Sequence, residues 1–445
     1  METGYMKTSA EAVRQVISRY MVTDGLDLVL DLEKSRGVYL FDAKRQEYFL
    51  DFFSFFATNP VGLNHPRLTD EKTVRELGRV AAQKPSNSDV YSTELADFVN
   101  LFAQEAKPDF MKYLFFIEGG ALAVENALKA AFDWKVRKNF RRGIKEEKGY
   151  QVIHFRQAFH GRSGYTLSLT NTADPRKTQY FPKFNWPRII NPKCTFPLEG
   201  ENLRHVEELE AQALGEIRAA IAERGEDDIA CLIIEPIQGE GGDNHFRPEF
   251  HQALRAICDE HDILLIHDEV QTGFGGSGRM WAGEHFTQPD IITFGKKTQV
   301  CGMMAGPRLD EIPDHVFKIP SRVNSTWGGN LVDMVRCRHY LEIYREENLL
   351  ENTRQMGAIL LRELQNLHAD FPDRVTNPRG RGLLCAFDLP TTEFRNQFRK
   401  QLFESRLVLL ACGERSVRFR TALTIKEEEL MQGIYVVRQV LAQMA

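Results

Sequence analysis

Residues 263–297 read ILLIHDEVQTGFGGSGRMWAGEHFTQPDIITFGKK. The opening run, 263–267, is continuously apolar up to its histidine. It is too short for a helix and has the composition of a strand buried on both faces. It ends in Asp268–Glu269, a glycine-rich loop follows, and a second short strand at 290–294 ends in Gly295–Lys296–Lys297. Buried strands whose ends carry charge belong to a sheet whose chemistry gathers beyond the carboxyl ends of its strands.

The flanking sequence extends the pattern. Apolar runs at 112–117, 151–155 and 229–234 predict further strands, and helical periodicity predicts helices over 92–105, 121–138, 204–223 and 248–261. Strands alternating with helices imply an α/β fold with a mostly parallel sheet covered on both faces. The first part of the chain holds a short helix and strand-like pieces at 37–43 and 47–53. Beyond 331 the character changes. A long helix over 332–369 precedes strands at 383–388, 408–411 and 417–420, with helices at 392–405 and 426–443. The expected organisation is therefore an N-terminal segment (1–60) packing with the small domain, a large α/β domain (61–330) and a smaller α+β domain (331–445).

Composition narrows the partners. Of 445 residues, 42% are hydrophobic and 27% charged, enough to bury a large core without staples. A net charge of −5 lacks the basic footprint of a nucleic-acid or anionic-membrane binder. The scattered cysteines form no CxxC pair, which argues against a disulfide framework or a zinc ribbon and for reduced thiols in the cytoplasm. The start, METGYMKTSAEAV, is polar, and no apolar run approaches the ~20 residues of a membrane span. The expectation is a cytoplasmic protein with neither nucleic acid nor membrane as partner.

Taken alone, an aspartate at a strand end is a cap and a lysine pair is a solvated one. Together, at neighbouring strand ends with a glycine-rich loop between them, they suit one cofactor. Pyridoxal 5'-phosphate (PLP) needs an amine for its aldehyde carbon and an acid to keep its ring nitrogen protonated. Its phosphate needs backbone donors at a helix start. Gly119–Gly120–Ala121, where a strand turns into a helix, offers them.

The segment HDEVQTGFGGSGRMWAGEHFTQPDIITFGKK resembles the signature of the class III aminotransferases, PLP enzymes of fold type I, and the likeness spans essentially the whole chain. The resemblance implies that Asp268 contacts the pyridine nitrogen and Gln271 lies near the phenolic oxygen. It makes Lys296 the Schiff-base lysine, with Lys297 the neighbouring candidate. Gly120 and Ala121 would donate to the phosphate, although EGGALAVENALK departs from the family's more usual serine-glycine form. Phe159, in the Phe159–His160–Gly161–Arg162 loop, would stack on the ring. The segment NSTWGGN at 324–330 matches one whose threonine, here Thr326, reaches the phosphate of the partner subunit. The resemblance therefore implies a homodimer with shared sites.

SVRFRTALTI resembles the family's C-terminal arginine motif, which implies that Arg418 binds the carboxylate of glutamate, with Arg420 the alternative. An ω-amino donor carries no carboxylate at its reacting carbon, so Arg418 would be left unpaired in a desolvated pocket. Glu240, in EPIQGEGG, is the acid expected to pair with Arg418 and swing away for glutamate, while Glu235 supports the site from beneath. Arg162 could hold the distal carboxylate, and Asn324 could receive an α-amino group. The strings FIEGGALAVENALKAAFDWK, EPIQGEGGDNHFR and FGKKTQVCGMMAG resemble the lysine ε-aminotransferase branch of the family. That implies L-lysine, 2-oxoglutarate and L-glutamate as small-molecule partners. Ornithine, acetylornithine or 4-aminobutyrate as amino donor is the alternative.

Overall fold

A computed structural model describes residues 8–444; the polar stretch 1–7 and Ala445 lie outside the described residues. Regular structure begins with a short helix, Val13–Ser18, and an antiparallel hairpin of β1 (Tyr39–Asp42) and β2 (Glu47–Phe52).

The middle of the chain builds a seven-stranded sheet. Its strands are β3 (Tyr113–Ile117), β4 (Gln151–Phe155), β5 (Arg188–Ile189), β6 (Ile229–Ile234), β7 (Leu264–Asp268), β8 (Ile291–Phe294) and β9 (Cys301–Ala305), in the spatial order β3-β9-β8-β7-β6-β4-β5. The pairs from β5 through β4, β6 and β7 to β8 are parallel, and β9 runs antiparallel to both β8 and β3. Every residue of β6, β7 and β8 is buried, as their continuous apolar runs require. Helix Gly120–Arg141 packs on β6, β8 and β9 through Ala123, Ala127, Ala130 and Ala131, whose small side chains let it lie close to the sheet.

The last part of the chain adds β10 (Thr376–Arg381), β11 (Leu384–Asp388), β12 (Leu407–Cys412) and β13 (Ser416–Phe419). They join the N-terminal hairpin in a six-stranded sheet of order β1-β2-β12-β13-β11-β10, in which β2 lies parallel to β12 with Leu50 opposite Leu407. Arg418 stands opposite Ala386 of β11 and Leu410 of β12, which sets its side chain from the middle of that sheet.

Strand β5 and the helices Glu71–Ala81 and Gly164–Leu169 were not anticipated, and three further differences have a plain local cause. The helix expected over 332–369 is two helices, Leu331–Glu346 and Leu349–Asp370, broken where Asn348 adopts a left-handed conformation (φ 49) that asparagine tolerates better than most residues. The strand β9 went unpredicted because CGMMA has no β-branched residue and contains Gly302, which reads as a turn. That glycine is required, since a Cβ there would sit 2.1 Å from the Phe115 carbonyl oxygen of β3. The strand β10, TNPRGR, was hidden by its proline, glycine and charges, which its place at the sheet edge accommodates.

Candidate active site

The carboxyl ends of β6, β7 and β8 open into a cavity of about 650 Å³ that also receives the start of helix Gly120–Arg141. Its residues come from seven separate stretches of chain. The fold brings them together as the sheet topology requires.

After β8, Gly295 is extended and Lys296 takes a left-handed backbone conformation (φ 55) that a β-carbon disfavours. This turn separates the two lysines. Lys296 lines the cavity. Lys297 is buried, and its Nζ donates to the carbonyl oxygens of Gln271 (2.8 Å) and Gly273 (3.2 Å), tying down the glycine-rich loop. Burial lowers the Lys296 amine from 10.5 to about 8, the Arg418 and Arg420 cations push the same way, and Glu235 and Asp268 oppose them.

Asp268, at the end of β7, is buried and held at both oxygens. Oδ2 lies 2.7 Å from His160 Nδ1; Oδ1 accepts from the Val270 backbone (3.1 Å) and from Thr293 Oγ1 (3.1 Å), its register neighbour on β8. His160 Nε2 is buried without a partner. Beneath them, Glu235 accepts from the backbone N–H of Phe159 (2.9 Å) and of Gly239 (3.0 Å), so one side chain fixes two cavity loops. Burial raises its carboxyl to about 7, countered first by His160.

The helix start closes another side. Gly119 has φ 99, and the first-turn N–H groups of Gly120 and Ala121 have no partner within their own helix. A Cβ on Gly120 would meet Val270 Cγ1 at 2.9 Å, and one on Gly161 (φ +117) would lie 2.6 Å from Ala121 Cβ. The Phe159–Arg162 loop can therefore sit against the helix start only because glycine occupies position 161. Phe159 and Arg162 line the cavity, Phe159 half-buried and Arg162 exposed at its mouth.

Behind Gln271, which lines the cavity, lies a cluster of charge. Arg418 is only 2% exposed; Nη1 donates to Gln271 Oε1 (2.9 Å), Nη2 to Glu240 Oε2 (3.1 Å), and Nε has no partner. Arg420 pairs with both carboxylate oxygens of the fully buried Asp243 and also donates to Gln271 Oε1 through Nε (3.2 Å) and Nη2 (3.1 Å). The other oxygen of Glu240 accepts from Lys177 Nζ.

Four predicted residues do not line this cavity: Arg418 and Glu240 adjoin it through Gln271, whereas Asn324 and Thr326 are exposed and lie elsewhere. Asn324 Oδ1 accepts from the Ser325 backbone (2.8 Å), and the Thr326 carbonyl accepts from Ser86 Oγ. Sequence reasoning missed Lys177 and four lining residues, Thr58, Gln299, Cys301 and Asp333. Gln299 and Cys301 fall in TQVCG, the stretch that already stood out after the lysine. Gln299 Nε2 donates to the carbonyls of Thr58 (2.7 Å) and Lys296 (3.1 Å), which bridges the lysine turn to the N-terminal segment. Nothing local in the sequence marks Thr58 or Asp333.

These groups fit PLP. A low-pKa amine, a fixed carboxylate, a half-buried aromatic ring and a glycine-built helix start surround one cavity. Fold and site together are those of a fold type I PLP enzyme. The chain belongs to the class III aminotransferase family, whose profile matches residues 20–441. It is thus a PLP-dependent aminotransferase. Among its relatives is the L-lysine-epsilon aminotransferase of Mycobacterium tuberculosis, 53% identical over 436 residues that cover 98% of this chain and 96% of the relative. The protein of the same name from Streptomyces clavuligerus is 49% identical over 430 residues, covering 96% of this chain and 93% of that one. The solved structure of lysine aminotransferase from M. tuberculosis superposes with a TM-score of 0.95 and covers 98% of this chain and 99% of its own.

Proposed function

We propose that this enzyme moves the ε-amino group of L-lysine to 2-oxoglutarate, giving 2-aminoadipate 6-semialdehyde and L-glutamate. The semialdehyde then closes on its own α-amine, with loss of water, to piperideine-6-carboxylate. The observation that carries the reading is the unequal state of the two pocket arginines. Arg420 is locked to buried Asp243, whereas Arg418 is held by Glu240, an acid that is 23% exposed. An arginine with a displaceable partner suits an enzyme that must accept an amino donor without a carboxylate at the reacting carbon, and then one that has it. The names and high identity of the relatives support lysine as the donor.

When bound, PLP supplies a carbonyl carbon that takes up the amino group and a protonated ring that accepts the electron pair released at the substrate carbon. The first-turn N–H groups of Gly120 and Ala121 would hold its phosphate, Phe159 would cover its ring and Gln271 would serve its phenolic oxygen. Asp268 would pair with the ring nitrogen, and His160 holds Asp268 in place. The free amine of Lys296 takes the proton from the substrate carbon bearing the reacting nitrogen and later returns a proton, as base and then acid. Arg418 binds the α-carboxylate of glutamate or 2-oxoglutarate once Glu240 has moved. Arg162, at the mouth, takes the distal carboxylate: the γ-carboxylate of glutamate or the α-carboxylate of lysine inserted amine-first.

The working unit in this proposal is a homodimer. Thr326 and Asn324, outside the cavity of their own chain, serve that of the neighbouring subunit, Thr326 at the phosphate and Asn324 at the α-amino group of lysine. The cytoplasm is the compartment that suits seven unpaired, buried cysteines.

The test is a single-turnover absorbance experiment on the PLP-loaded enzyme with lysine, ornithine, 4-aminobutyrate and glutamate in separate runs. Lysine and glutamate should bleach the cofactor band fastest, and 2-oxoglutarate should restore it. Faster bleaching by ornithine or 4-aminobutyrate would leave the family intact and remove lysine as the substrate.

A further inference from the structure

Glu240 divides its two oxygens between two cations. Oε2 accepts from Arg418 on β13, beside the cavity-lining Gln271, and Oε1 from Lys177, which closes the single-turn helix Pro175–Lys177 in the loop that leads to β5. Lys177 is 29% exposed and Glu240 23%, so this pair sits at the rim while Arg418, 2% exposed, lies within.

The backbone around Glu240 is fixed. Gly239 donates to Glu235 Oε2 (3.0 Å), Gly413 donates to the Glu240 carbonyl (2.8 Å), and Arg379 holds the carbonyls of Gly242 and Asp243. A Cβ on Gly241 would lie 2.1 Å from the Gln157 carbonyl oxygen, so the loop is also packed from behind. Glu240 therefore cannot leave Arg418 by a movement of its loop; only its side-chain torsions are available. The third nearby cation, Arg395, is turned onto the carbonyls of Cys412 and Gly413 rather than onto Glu240. A part-buried carboxylate that gives up its only counter-charge is left with an uncompensated desolvation cost. With Lys177 in place it never loses both.

We propose that Lys177 is a positioning residue for the exchange of substrates: it is the pivot on which Glu240 stays anchored when the side chain swings off Arg418 to admit the carboxylate of glutamate or 2-oxoglutarate. This rests on the gating role given to Glu240 above. Lys177 touches neither the reacting atoms nor the cofactor cavity. It sets how readily Arg418 becomes available, and so the balance between carboxylate-bearing and ω-amino substrates.

The experiment compares Lys177→Met, Lys177→Arg, Glu240→Ala and the double variant Lys177→Met/Glu240→Ala, all as PLP-loaded enzyme, in the separate half-reactions with lysine and glutamate. Lys177→Met should raise KM for glutamate and for 2-oxoglutarate roughly fivefold, the effect of losing one partly exposed ion pair. Its KM for lysine should stay within about twofold, kcat should be unchanged, and Lys177→Arg should restore wild-type values. In the Glu240→Ala background Lys177→Met should add nothing. Equal effects on lysine and glutamate, no effect on either, or an added effect in the double variant would overturn the pivot. The gate itself is read independently from Glu240→Ala: if that variant slows both half-reactions equally, the gating role falls, whatever Lys177 does.

Discussion

Roughly a tenth of the Lys296 amine should be unprotonated at pH 7 in the cofactor-free enzyme. Its fall from 10.5 to about 8 has burial as the main cause, with Arg418 and Arg420 next. The shift raises the share of free amine at neutral pH roughly 300-fold over an ordinary lysine. Only the neutral amine attacks an aldehyde, so the rate at which apoenzyme captures PLP reports this population. Stopped-flow absorbance across a pH series should show the capture rate rising roughly tenfold for each pH step below the inflection and levelling off above about 8. Arg418→Gln removes a cation that disfavours the ammonium form, so the inflection should move up. Glu235→Gln removes a carboxylate that favours it, so the inflection should move down. An inflection near 10.5 in the wild-type enzyme, or a downward move in Arg418→Gln, would refute the reasoning.

Other variants probe the remaining walls of the site. Glu240→Ala leaves Arg418 buried with Gln271 as its remaining acceptor; kcat/KM for lysine should drop roughly 10- to 100-fold, with a smaller loss for glutamate. Arg162→Ala should raise KM for lysine and 2-oxoglutarate together, and an unchanged KM for both would remove its carboxylate role. Gly161→Ala combines φ +117 with a 2.6 Å approach to Ala121. It should cost about 1–3 kcal/mol of strain and weaken PLP retention, measurable as cofactor loss on dialysis.

The sequence revealed most where one local property decides the outcome. The runs 229–234 and 263–267 could only be buried strands, and the fold places β6 and β7 there with every residue inaccessible. The carboxylate and the lysine at neighbouring strand ends both line one cavity for the same reason. Position within the sheet was less legible. Neither CGMMA nor TNPRGR has strand composition; one is held by flanking strands that demand a glycine, the other by its edge position. The helix break at Asn348 was invisible because apolar periodicity runs through it. Side-chain pairings across distant segments were the least accessible. Lys177 and Glu240 are 63 positions apart, and Arg420 and Asp243 are 177. Which arginine was already committed became clear only when the two sheets were brought together.

The most direct test of the central claim uses lysine carrying heavy nitrogen at a single position. Two preparations, labelled at Nε or at Nα, are incubated with the enzyme and 2-oxoglutarate, and the glutamate formed is examined by mass spectrometry. The account predicts labelled glutamate from the Nε preparation alone, with the remaining carbon skeleton cyclised. Label arriving from Nα, or glutamate formed without label from either preparation, would contradict it.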